Sequence, residues 1–98
     1  MGDTKEIVRA FPESARLTIG HDLYLIEKNE QPNNWKPMTT VGRGVRELRA
    51  KDSGNIFRTI YVVKKTTGIW ILHAFAKKSQ KTAQKDINLA KQRLKEVE

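Results

Sequence analysis

Ninety-eight residues, 38% of them hydrophobic, suffice for one folded domain with a single modest core and are too few for two. The absence of cysteine excludes disulfides and thiolate metal sites, and no stretch has the apolar length of a membrane span or of a secretion signal's core, so a cytoplasmic protein is expected. Net charge is +8, unevenly spread: residues 1–35 carry four basic and six acidic side chains, residues 36–98 fifteen basic and five acidic, an asymmetry that favours a polyanionic partner, nucleic acid ahead of membrane.

Asp3-Thr4-Lys5-Glu6 has the form of a capping box, with Ile7 and Phe11 on one face of the helix it would open. Pro12 interrupts that helix and suits the first position of a second one, whose buried stripe is Ala15, Ile19, Leu23 and Ile26. Asn29 to Gly44 holds two prolines, two adjacent asparagines and Gly42-Arg43-Gly44, and reads as an ordered connection with Trp35 lying against the core as a lid. The glycine pair around Arg43 lacks the spacing of a nucleotide-binding loop and reads as a turn.

Val45–Ala50, Ile56–Val63 and Ile69–Ala76 are rich in β-branched and aromatic residues and are separated by short polar, glycine-containing links, which predicts an antiparallel meander. In the second strand Ile56, Arg58, Ile60 and Val62 share one face, and Phe57, Thr59, Tyr61 and Val63 the other. Arg58 stands out as one guanidinium in a strand otherwise without charge. The third strand, IWILHAFA, is apolar on both faces, which predicts a place inside the sheet with helices over it. His73 is its one titratable side chain and reads first as a buried neutral histidine; His21 is too isolated to be a metal ligand.

Lys77-Lys78-Ser79-Gln80-Lys81-Thr82 follows, and then a helix with Ala83, Ile87, Ala90, Leu94 and Val97 on its buried stripe and Thr82 or Ser79 as its cap. Two lysines at a strand end beside a helix N-terminus can place positive charge and backbone donors around a phosphate. The fold expected is α+β: two N-terminal helices packed on a three-stranded antiparallel meander, with a C-terminal helix returning to it.

The run VRELR…IFRTIYVVKK…IWILHAFAKKSQKT…DINLAKQRL, with PNNWKPM and the Gly42–Gly44 turn ahead of it, resembles the RelE/HigB toxin superfamily, in particular its phage-derived, HigB-like branch, over roughly Ile7 to Val97. The resemblance implies a RelE-like fold and a toxin of a type II toxin–antitoxin pair that cuts messenger RNA on the ribosome without metal or other cofactor. The substrate's own 2′-hydroxyl would be the nucleophile. Arg58 matches the strand arginine that grips the scissile phosphate, and Lys77 and Lys78 match the basic pair that supplies transition-state charge. Arg49 matches an arginine of substrate binding or site organisation, with Arg46 and Lys81 as further RNA contacts.

Three departures accompany the match. Where a well-known relative has lysines flanking the attacking hydroxyl, this chain offers Val45 and Glu47, with Arg46 pointing to the other face, so that Glu47 is the candidate base. Gln84 stands near the place of a base-stacking tyrosine, leaving His73, Tyr61 or Trp70 to substitute. The family's usual first strand has no counterpart ahead of Asp3 and is expected to be missing. The partners implied are mRNA, the ribosome and a cognate helix-turn-helix antitoxin of the HigA kind. The alternative is a non-catalytic basic nucleic-acid binder or a gyrase-poisoning relative of the same fold.

Overall fold

The computed structural model describes residues 8–65, 67–77 and 82–97. Two helices, α1 (Glu13–Glu27) and α2 (Gln84–Val97), accompany four strands, β1 (Trp35–Pro37), β2 (Arg46–Asp52), β3 (Asn55–Lys64) and β4 (Gly68–Lys77). The strands form one open antiparallel sheet in the order β1-β2-β3-β4. Of the expected first helix, Val8 and Arg9 are helical, and the Asp3–Glu6 capping box lies outside the described residues.

Pro12 caps α1 from an extended conformation without a side-chain bond, and the helix buries Ala15 and Ile19, with Leu23 and Ile26 half-buried, along the expected stripe. Its end is a Schellman motif. Asn29 adopts φ 63°, the Glu30 amide donates to the Leu25 carbonyl at 2.9 Å and the Asn29 amide to that of Ile26 at 3.0 Å. Asp22, also buried in α1, accepts the Asn33 amide at 3.0 Å and ties the following loop to the helix.

The three-stranded meander becomes four-stranded because Trp35–Pro37 pairs with β2. Three residues ending in proline carry no readable alternation, yet proline is tolerated at a sheet edge, where no neighbour needs its missing N–H. Trp35 does pack against the core, and the Arg46 guanidinium lies 4.3 Å from its ring centre. The turn from Gly42 to Val45 is closed by a 3.3 Å backbone bond. Ser53 and Gly54, both at positive φ, make the two-residue β2–β3 turn that suits the strands' twist.

Each sheet face carries its own core. Phe11, Ala15, Ile19, Leu48, Phe57 and Tyr61 pack beneath α1, while Val45, Ile60, Val62, Leu72, Ala90 and Leu94 pack beneath α2. The β3 alternation follows the expectation, with Ile60 and Val62 facing α2. The place of β4 does not: among the described residues it pairs with β3 alone, at the sheet's edge and not inside it. Its doubly apolar sequence reflects helices on both faces, a burial that says nothing of lateral neighbours.

Within β4 the side-chain alternation breaks once. Ile60 pairs with His73 and Tyr61 with Ile71, leaving Leu72 as an extra residue in a β-bulge. Leu72 and His73 consequently both face α2, and Arg93 of that helix donates to the Leu72 carbonyl at 2.9 Å.

Candidate functional site

Antiparallel pairing sets Arg49 of β2 opposite Arg58 of β3, and Arg58 opposite Phe75 of β4. Glu47, two residues before Arg49, shares its face and lies between the guanidiniums. Its Oε1 is 2.7 Å from Arg49 Nε and 3.5 Å from Arg58 Nη1. Thr82, just ahead of α2, completes the group: its hydroxyl accepts from Arg58 Nη1 at 2.6 Å and donates to Glu47 Oε2 at 2.9 Å. Both Arg58 and Glu47 are 0% exposed. Burial draws the Arg58 guanidinium below its ordinary range, the Glu47 carboxylate opposes that shift, and Arg49 adds to it. Arg58 stays charged, and Glu47 is its counter-ion.

A second polar group adjoins the first. His73 shares its face with Phe75 and Lys77 and meets α2, where its Nε2 lies 2.9 Å from Asp86 Oδ1, and Lys77 at the end of β4 places Nζ 2.8 Å from Asp86 Oδ2. The His73 ring stacks on Phe75 with centres 4.6 Å apart. Burial lowers the His73 pKa and outweighs the pull of Asp86, so the ring is neutral at pH 7. A neutral ring facing an ionised carboxylate carries its proton on the facing nitrogen, so Nε2–H donates to Asp86. Burial alone would raise the Asp86 carboxyl, but the bonds from Lys77 and His73 prevail and hold it below its usual value.

The α2 face of the sheet thus brings together Glu47, Arg49, Arg58, His73 and Lys77, five of the ten residues that sequence reasoning proposed, and Trp70 lies farther along that face, opposite Val62. Arg46 and Tyr61 stand opposite one another on the other face; Tyr61 is buried under α1, and Arg46 is occupied with Trp35. Neither shares the surface of Arg58. Lys78 and Lys81 lie outside the described residues. Thr82 and Asp86 were missed as site residues. Asp86 had a readable signal, because the residues that α2 buries are Asp86, Ala90 and Leu94, a strict spacing of four with a carboxylate at its head.

Among the described residues no group of three or more His, Asp or Glu side chains is placed to share a metal ion. A groove of about 700 Å³ lies elsewhere, between the end of α1 and the β3–β4 turn, walled by Leu23, Ile26, Val63, Ile69 and Ile71, and touches none of the clustered residues.

A family model described as "Phage derived protein Gp49-like (DUF891)" matches residues 6–95, nearly the whole chain. The chain belongs to this phage-derived Gp49-like family. The family is related to the RelE/HigB-like toxins. No curated protein and no solved structure matches the chain. No helix among the described residues is long and apolar enough to cross a membrane.

Proposed function

We propose that this Gp49-like protein is the toxin of a type II toxin–antitoxin pair of the HigB kind, an endoribonuclease that cuts messenger RNA on the ribosome and so arrests translation in the bacterial cytoplasm. The observation that carries the reading is the convergence of Arg49, Arg58 and Lys77 on one sheet face beside the carboxylates of Glu47 and Asp86. Such a set supplies what RNA self-cleavage requires, cations for a phosphorane and a carboxylate for a proton.

The reaction begins with an exchange. A phosphodiester carries the same single negative charge as Glu47, and its two free oxygens suit the fork of a guanidinium, so substrate takes the place of Glu47 and Thr82 on Arg58. That exchange frees Glu47 to accept the proton of the 2′-hydroxyl as the 2′-oxygen attacks the adjacent phosphorus. The bond from phosphorus to the 5′-oxygen breaks, and that oxygen takes a proton from the Lys77–Lys78 pair. The products are a 2′,3′-cyclic phosphate and a free 5′-hydroxyl. Guanidinium and ammonium groups carry the charge stabilisation, so no metal enters the scheme. A helix-turn-helix antitoxin of the HigA kind restrains the activity by covering the basic surface.

The test is to mix purified protein with ribosomes programmed with a defined mRNA, map new 5′ ends, and repeat with Arg58→Ala and with naked RNA. Ribosome-dependent ends that vanish in Arg58→Ala support the reading. One observation favours a second reading, a non-catalytic nucleic-acid or gyrase binder: Arg58 and Glu47 are wholly buried and neutralise each other. Binding without cleavage under every condition would decide for it.

A further inference from the structure

Asp86 occupies a place where an apolar residue would seal the α2–sheet contact at lower cost, since Ala90 and Leu94 continue the same buried stripe. The carboxylate is nevertheless held at both oxygens, by His73 Nε2 at 2.9 Å and Lys77 Nζ at 2.8 Å. Each contact behind it is fixed in turn. His73 is stacked on Phe75, and the bulge beside it is held by Arg93 from the same helix as Asp86. Four residues ahead of Asp86, Thr82 grips Arg58. One short stretch of chain therefore indexes Arg58 and Lys77 to each other.

Resting on the ribonuclease reading above, we infer that Asp86 is a positioning residue that fixes the Lys77 ammonium relative to Arg58 for the leaving 5′-oxygen, with His73 as its anchor. A lysine ammonium sits on a flexible four-carbon stem and has three donors. Asp86 takes one and leaves two for phosphate oxygens, and the Lys77 side chain is 23% exposed, so these remain within reach of substrate. Pre-ordering of this kind acts on the rate of the chemical step more than on binding, because misplacement of a catalytic group by about 1 Å costs on the order of a hundredfold.

The test is a double-mutant cycle of Asp86→Ala and Lys77→Ala in the ribosome cleavage assay, with Asp86→Asn as the milder variant and Asn88→Ala, exposed on the same helix, as the control. Each single change should lower kcat about ten- to a hundredfold with KM within about twofold, and the double variant should be no slower than the slower single one. Additive losses, or full activity in both Asp86 variants, overturn the assignment. Nitrogen-15 NMR of the Lys77 ammonium gives a readout without turnover: its slowly exchanging signal should be present in the wild type and lost in folded Asp86→Asn. If wild-type protein cuts nothing, the ribonuclease reading fails, and this spectrum still decides whether Asp86 holds Lys77, an unchanged signal ruling it out.

Discussion

Arg49 and Arg58 face one another directly across β2 and β3, with the Glu47 carboxylate 2.7 Å from the first and 3.5 Å from the second. Like charges directly opposed in a ladder are destabilising, and Arg58 has in addition left water completely. A single carboxylate serves both guanidiniums and offsets this, and Thr82 donates to its far oxygen. This is a polar core in which every member depends on the others, and under the function proposed above it is the core that yields Arg58 to a phosphate.

Removal of Glu47 should therefore be costly. We expect Glu47→Ala to lower the unfolding free energy by about 3–5 kcal/mol, as does breaking other buried ion pairs from one side, while a double replacement of Glu47 and Arg58 by leucine and methionine should recover most of the loss. Urea unfolding with an unchanged slope checks both. A loss below about 1 kcal/mol in the single variant would show that water or another group reaches Arg58.

Thr82 separates hydrogen bonding from packing. Thr82→Val keeps the shape but deletes a hydroxyl that both accepts and donates in a buried setting. The expected cost is about 1–3 kcal/mol, and Thr82→Ser should restore most of it. Equal losses in the two variants would assign the role to the methyl group instead.

The acid limb of stability should have two steps. His73 has its pKa lowered by burial from an ordinary value of 6.5, so between that value and its lower folded one the unfolded chain holds more protons. Its contribution is thus fully present above about pH 6.5 and is lost as pH falls through the folded value. Asp86 attracts the incoming charge, whereas Lys77 and Arg93 oppose it. Asp86 is itself lowered from 3.8, so its contribution is lost further down, as pH falls below that value. Unfolding free energies measured from pH 8 to pH 3 should show both steps, and His73→Gln should remove the first and leave of the second the part that Lys77 supplies. A first step that persists in His73→Gln would have to come from another group.

What the sequence disclosed followed how local each signal is. The α1 stripe, the two hairpins and the face of Arg58 depend on short periodicities, and each matches the structure. Strand β1 escaped because three residues ending in Pro37 carry no period, and the edge position of β4 escaped because Ile69–Ala76 reports burial of faces and not of edges. The bulge at Leu72 is silent in sequence, and it brings Leu72 onto the α2 face beside His73. Arg46 and Tyr61 were placed with the site by their residue types, and strand parity assigns them to the opposite face. Thr82 joins Glu47 across 35 positions of chain, a pairing that no single-sequence pattern encodes.

Gly42 offers a last test, of how closely α2 sits against the loop before β2. A Cβ added at this glycine would run into the far end of the Leu94 side chain, which is buried in the same core as Val45 and Ile60 and would have to shift. The constraint on this glycine is close approach and not a left-handed backbone, since the neighbouring Gly44 is the one at positive φ. We expect Gly42→Ala to cost about 1–3 kcal/mol by overpacking. Leu94→Ala alone should cost about 2–5 kcal/mol through the cavity it leaves. In the Leu94→Ala background the added methyl at residue 42 should be nearly neutral or slightly favourable, so the pair should couple strongly in a double-mutant cycle of unfolding free energies. Additive losses would mean that α2 stands farther from the loop than this geometry has it, and that Thr82 and Asp86 at its start are less firmly seated on the sheet.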